Sequence, residues 1–177
     1  ICLGSATFGE RTSASVANRI MASALEAGVN FIDTADSYPR ATAPGAAERI
    51  IGRFVAQSRD YWVLATKFSR TTDASNPNCG GLGRKWMMQT VNASLKRLAT
   101  DYVDICYLHH DDGKTPVEET LRGMDDLIHA GKVRYWGMSN FQGWRIAEFV
   151  KESQRLGVPP PIVVRSEEHT SELQSPY

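Results

Sequence analysis

Four polar side chains, Asp33, Tyr38, Lys67 and His109, could together control a proton at a carbonyl oxygen. A phenol titrates near about 10, but a lysine ammonium beside it favours the phenolate and lowers its pKa by about one to three units. An aspartate next to that lysine keeps the amine charged and in place. A neutral histidine can orient a carbonyl oxygen through a hydrogen bond. The set therefore predicts a site that protonates a carbonyl oxygen while another group attacks the carbonyl carbon.

The sequence contains no Gly-x-Ser-x-Gly elbow to supply a serine nucleophile. Hydride from an external redox cofactor is therefore the simplest nucleophile. The three cysteines, Cys2, Cys79 and Cys106, are widely separated and form no Cys-x-x-Cys pattern. We expect no metal site and no disulfide framework, and we expect a reducing, cytoplasmic location.

Short β-prone runs alternate with helical patterns along the chain. The predicted strands are Ile1–Gly4, Phe31–Asp33, Tyr61–Lys67, Tyr102–His109, Val133–Met138 and Ile162–Val164. These runs are mostly continuous and apolar, as in parallel strands that helices cover. The apolar stripes that predict four of the intervening helices are Val16/Ile20/Ala24/Ala27, Met87/Val91/Leu95/Leu98, Val117/Leu121/Met124/Ile128 and Ile146/Phe149/Val150/Leu156. A fifth, shorter helix is predicted from Ala46 to about Gln57.

Strict alternation of strands and helices predicts parallel β/α units, which occur in doubly wound sheets and in (β/α)8 barrels. The polar residues favour the barrel, because Asp33, Lys67, His109 and Ser139-Asn140 each lie at or just past the C-terminal end of a different strand. An open dinucleotide-binding sheet would instead carry Gly-x-Gly-x-x-Gly after its first strand. We therefore predict an α/β fold, a (β/α)8 TIM barrel that is incomplete. A full barrel takes about 250 residues, so about five and a half β/α units are present.

The composition changes abruptly near the end of the chain. Residues 165–175 match, residue for residue, the translation of a common sequencing-library adapter. We therefore expect residues 165–177 to be a non-native tail, and residues 1–164 to be the N-terminal part of a barrel. We also expect the 177-residue chain by itself to be inactive.

The charge balance argues against nucleic-acid and membrane partners. Twenty Lys and Arg residues balance twenty Asp and Glu residues, so the formal net charge is zero. Nucleic-acid binding normally requires a clustered basic patch. No apolar run approaches the roughly 20 residues that a membrane span needs.

Several segments together carry a family resemblance. They are Gly28–Tyr38, Ala65-Thr66-Lys67, Asp101–Asp104 followed by His109, and Gly131–Phe141. In this order and spacing, the sequence resembles the aldo-keto reductase family of nicotinamide-dependent (β/α)8 barrels. The resemblance runs from Leu3 to Val164.

The resemblance implies a role for each matching position. Tyr38 would be the general acid, Lys67 would lower its pKa, Asp33 would pair with Lys67, and His109 would orient the substrate carbonyl. The implied substrate is a small aldehyde or ketone, and the implied cofactor is NADPH or NADP, with NAD left open.

The residues implied to bind the cofactor are Thr7, Asp33, Ser139 and Asn140. Ser139 and Asn140 would hydrogen-bond the nicotinamide carboxamide, and Thr7 would line the cofactor after the first strand. Ser139-Asn140 could also cap the helix that follows.

Three alternatives stay open at this stage. His110 is adjacent to His109, and a strand would direct the two rings to opposite sides, so one of the two could be a rim histidine without a role in the site. Trp136 and the segment Thr115–Arg122 also resemble the branch that contains potassium-channel β subunits, so an auxiliary barrel that binds NADPH as a sensor is an alternative function. A truncated product without function is a further alternative.

Overall fold

The computed structural model describes residues 1–40 and 43–165, and in these ranges the strands pair in chain order. The strands are β1 Leu3–Gly4, β2 Phe31–Asp33, β3 Val63–Phe68, β4 Val103–Leu108, β5 Val133–Ser139 and β6 Val163–Arg165. The helices are α1 Ala14–Glu26, α2 Ala46–Val55, α3 Arg84–Leu98, α4 Val117–His129 and α5 Gly143–Leu156. Every neighbouring pair of strands is parallel. The sheet is a curled half-barrel with a helix in each connection, which confirms the predicted incomplete (β/α)8 barrel.

Only β2 has the predicted bounds, and the ends of the other strands differ from the prediction by one or two residues. Residues Ala56–Tyr61 form a 3-10 segment after α2, so β3 begins at Val63 and not at Tyr61. The indole of Trp62 donates to the Ser58 hydroxyl across this segment at 3.2 Å. β4 ends at Leu108, which leaves His109 just beyond the strand. Of the predicted tail, Arg165 is the last residue of β6, and residues 166–177 lie outside the described part of the chain.

Helix α1 buries a different face from the predicted one. Its buried residues are Ala17 and Met21, whereas Ile20 is 38% exposed and Ala27 follows the end of the helix. Successive residues of an α-helix are about 100° apart around the axis, so the true face lies one residue from the predicted stripe. Leu25, one turn after Met21, is partly buried against the same core. The apolar pattern alone did not distinguish the two faces.

The close approach of α2 to α3 depends on a glycine. A Cβ atom at Gly52 would lie 2.6 Å from the carbonyl carbon of Leu98. Glu48, one turn earlier in α2, is completely buried. Packing between these two helices therefore places a carboxylate behind β3.

Two large indoles are buried in the core. Trp62 and Trp136 are 2% and 1% exposed, and the Trp136 indole donates to the carbonyl oxygen of Pro159 at 2.9 Å. Among the helices of the described ranges, none combines the length and apolar character needed to cross a membrane.

Candidate active site

A buried ion pair joins the ends of β2 and β3. Lys67, which is fully buried in β3, donates from Nζ to Oδ2 of Asp33 at 2.6 Å and to the carbonyl oxygen of Thr34 at 2.7 Å. Parallel pairing of the two strands matches Asp33 with Ala65, two residues before Lys67. The register therefore brings the carboxylate and the ammonium together at the C-terminal edge of the sheet.

Tyr38 lies above this ion pair, in the connection between β2 and α2. The backbone N–H of Asp36 donates to the carbonyl oxygen of Lys67 at 3.0 Å, and the N–H of Ala47 donates to the carbonyl oxygen of Tyr38 at 3.2 Å. The Lys67 ammonium is 5.0 Å from the centroid of the Tyr38 ring. A cation at this distance favours negative charge on the phenol.

The ring of His109 lies edge-on to Tyr38, with 5.7 Å between centroids and an interplanar angle of 83°. The strand pattern predicted that His110 and His109 point to opposite sides, and this prediction is wrong. The two imidazoles stack at 4.9 Å, 19° from parallel. The alternation of a strand does not apply here because β4 ends at Leu108. His110 in turn contacts Arg70.

Burial controls the protonation of the site. Burial, followed by the charge of Lys67, lowers the pKa of His109 to about 2, so this imidazole is neutral at ordinary pH. Its Nδ1 atom is buried and has no hydrogen-bond partner among the described residues. Burial also lowers the pKa of Lys67, and the charge of Asp33 opposes this shift. The site therefore combines a charged pair, a phenol and a neutral imidazole.

The other residues implied to bind a cofactor lie at the same edge of the sheet. Asn140, just past β5, donates from Nδ2 to the Ser139 hydroxyl at 3.0 Å and to the carbonyl oxygen of His109 at 3.2 Å. Their capping role is wrong, because the N-cap of α5 is Gln142. Thr7, in the loop after β1, is exposed, and its hydroxyl is 3.0 Å from that of Thr12.

These groups fit a nicotinamide cofactor. A hydroxyl and a carboxamide side by side can bind the carboxamide of a nicotinamide ring. Asn140, which donates to the Ser139 hydroxyl, also donates to the backbone of the histidine beside Tyr38. Oδ1 of Asp33 is buried and lacks a partner within residues 1–40 and 43–165. An unpartnered buried carboxylate oxygen can accept from a donor that the described residues do not provide. The same described ranges contain no cluster of three or more His, Cys, Asp or Glu side chains able to hold a metal ion.

The structure adds a second phenol that the sequence reasoning missed. Tyr107 in β4 is 4% exposed, and the Lys67 ammonium is 5.9 Å from its ring centroid. Burial, with a smaller contribution from Asp33, raises the pKa of Tyr107 to about 12. Lys67 and Tyr107 are partners in the register of β3 and β4, so their side chains lie on the same face of the sheet. Pairing the two predicted strands in this register could have revealed Tyr107.

Comparison with known proteins assigns the family. The model of the Aldo/keto reductase family matches residues 1–169. The chain therefore belongs to the aldo/keto reductase family, as the sequence motifs indicated. The matched range includes every strand of the half-barrel.

Curated relatives fall in two groups by name. The chain is 37% identical over 163 residues, or 88% of its length, to an uncharacterized oxidoreductase, YrpG, of Bacillus subtilis strain 168, covering 49% of that protein. It is 38% identical over 164 residues, or 91% of its length, to probable voltage-gated potassium channel β subunits of Oryza sativa subsp. japonica and Arabidopsis thaliana, covering 48% of each. The chain thus spans about half the length of the curated relatives it matches.

Proposed function

We propose that the full-length protein, meaning the complete reading frame that contains this chain, is an oxidoreductase that reduces a small aldehyde or ketone to an alcohol with NADPH. The single observation that carries this proposal is the buried Asp33–Lys67 ion pair with its ammonium 5.0 Å from the Tyr38 ring. Family membership and the relative named as an oxidoreductase support the same reaction class. NADPH is proposed from the resemblance.

In this reaction the carbonyl carbon gains a hydride and the carbonyl oxygen gains a proton. Ser139 and Asn140 would hold the nicotinamide ring of a bound cofactor, which would supply the hydride. Tyr38 supplies the proton, and the nearby Lys67 ammonium stabilises the phenolate that remains. His109, which is neutral, donates a hydrogen bond that holds the carbonyl oxygen next to the phenol. Fixed donors of this kind stabilise developing oxyanion charge without reorganising.

The two phenols near Lys67 provide a sharp experiment. Tyr38→Phe should lower kcat for aldehyde reduction by about 10² to 10⁴, the range for loss of a general acid. Tyr107→Phe should lower it far less, because a phenol whose pKa is about 12 is a poor acid. NADPH affinity, measured by fluorescence, should change little in both variants.

The exposed Tyr135, which is 56% accessible on β5, is the matched control for losing a phenol. Near-normal turnover by Tyr38→Phe would exclude the proposed acid. A large loss confined to Tyr107→Phe would transfer the role to Tyr107. An inactive parent protein that still binds NADPH would exclude carbonyl reduction.

A second candidate function is an auxiliary subunit of a potassium channel that binds NADPH as a sensor. Its support is the 38% identity to the two probable channel β subunits. Co-purification with a membrane channel, combined with absence of turnover, would favour this function. Turnover of test aldehydes without a channel partner would favour the enzyme.

We further propose that residues 1–177 alone are inactive. In the described ranges β1 and β6 each pair with one strand only, and exposed parallel edges favour association between chains. The expected product is aggregated or melts without cooperativity, as measured by size-exclusion chromatography and thermal unfolding. A monomer that melts cooperatively and quenches NADPH fluorescence would refute this.

A further inference from the structure

A second buried charge cluster lies on the opposite face of β3 from the Lys67 ammonium. The Glu48 carboxylate of α2 is completely buried and has a partner on each oxygen. The Thr66 hydroxyl of β3 donates to Oε1 at 2.6 Å, and Nε of Arg97 in α3 donates to Oε2 at 2.6 Å. The reaction proposed above uses none of these three side chains.

This cluster is linked to both Tyr38 and Lys67. Thr66 directly precedes Lys67, and strand alternation directs the two side chains to opposite faces of the sheet. Ala47, which directly precedes Glu48, donates its backbone N–H to the carbonyl oxygen of Tyr38 at 3.2 Å. Two consecutive residues of α2 therefore contact the Tyr38 connection and the strand that carries Lys67.

We propose that Glu48 is a positioning residue that sets the separation of Tyr38 and Lys67 through its hydrogen bond with Thr66. This inference rests on the proposed function for its catalytic consequence. Arg97 neutralises the carboxylate and holds its second oxygen. The close packing at Gly52 holds α2 against α3, the helix that carries Arg97.

The physical reason is the steep dependence of the site on distance. The attraction between a cation and a phenolate falls with separation, and a displacement of about 1 Å at a reacting group can cost about 10²-fold in rate. β2 is only three residues long, and Tyr38 lies five residues beyond its end in an irregular connection. The contact from α2, in which the Ala47 N–H donates to the carbonyl oxygen of Tyr38, therefore helps to restrain this residue.

The test is Thr66→Val in the full-length protein, which removes the hydroxyl and retains the shape and charge of the site. We expect kcat to fall by about 10-fold to 100-fold. The pKa of Tyr38 should rise by about one unit. It is measured from phenolate absorbance, as the difference between each protein and its Tyr38→Phe derivative. Thr66→Ser, which restores a hydroxyl, should recover both properties.

Thr120→Val is the matched control. Thr120 is also fully buried, and its hydroxyl donates to the carbonyl oxygen of Leu82 at 3.5 Å, in a contact between α4 and the segment before α3. The Thr120→Val protein should lose stability without a change in the pKa of Tyr38. A Thr66→Val protein that retains the parental titration would overturn the positioning role, whatever its stability.

Glu48→Leu provides a second variant if Thr66→Val does not fold. A glutamine could keep both contacts, because its amide can donate to the Thr66 hydroxyl while its oxygen accepts from Arg97. Leucine can bond to neither residue, so the positioning role predicts an upward shift of the Tyr38 titration. Removing a negative charge would by itself shift it downward. A downward shift would therefore overturn the proposal. Because the titration requires no turnover, it decides this question even if the parent reduces no carbonyl compound.

Discussion

Replacing Lys67 with methionine tests the role of the cation beside the proposed acid. The ammonium is 5.0 Å from the Tyr38 ring centroid. At an effective dielectric constant of about 20, a unit charge at that distance contributes about 3 kcal/mol to phenolate stability. This corresponds to about two pH units in the ionisation of the phenol. The charge of Asp33, no longer balanced, would add to the shift.

The assay is the pH dependence of kcat for aldehyde reduction by the full-length protein. A general acid is active while protonated, so activity falls on the alkaline side as the phenol ionises. Loss of the ammonium should move that alkaline limb to higher pH by about two units, and kcat near neutrality should decrease. Lys67→Arg keeps the charge and should move the limb much less.

A control separates this effect from loss of folding. Lys132, whose ammonium donates to Oδ1 of Asn92 at 2.8 Å, lies at the start of β5, far from the catalytic edge. Lys132→Met should leave the profile unchanged. Lys67→Met should also lower the free energy of unfolding, because the Asp33 carboxylate loses its partner. Adding Asp33→Asn to this variant should recover part of the lost stability. An alkaline limb identical to the parent's in folded Lys67→Met would refute the pairing of Lys67 with Tyr38.

Two further predictions concern stability, both measured by urea unfolding of the full-length protein. Burial and then the charge of Glu48 raise the pKa of Asp36 from 3.8 to about 7. Between these two pH values the folded state binds more protons than the unfolded state. The free energy of unfolding should therefore rise as the pH falls from about 7 to about 4, by up to about 4 kcal/mol. Asp36→Asn should flatten this dependence, and an unchanged slope would contradict the assignment. Gly52→Ala should cost about 1 to 3 kcal/mol through overpacking against Leu98, whereas Gly143→Ala, where a Cβ meets open space, should cost nothing; equal stabilities would refute the close packing.

Much of the fold could be predicted from the sequence because its signals are local. Continuous apolar runs separated by helical stripes indicated six parallel strands, and all six are present. A glycine follows each of three helices, and Gly28, Gly131 and Gly157 have positive φ angles of 79°, 70° and 67°. Because these conformations favour glycine, a glycine after a helical pattern indicates a helix end without a structure.

The principal site residues were also predictable, because strand ends in a parallel sheet share one edge. Asp33, Lys67 and His109 therefore had to lie near one another once the strands were recognised. Their individual roles remain proposals.

Only the tertiary structure decided which surfaces meet. The buried face of α1 depends on how Ala17 and Met21 fit against the sheet, and the stacking of His109 on His110 depends on where β4 ends. The contacts of Glu48 with Thr66 and Arg97 join residues 18 and 49 positions apart in the chain. Local patterns carry no information about such pairs, because packing between helices and strands, and not the order of residues, determines which of them touch.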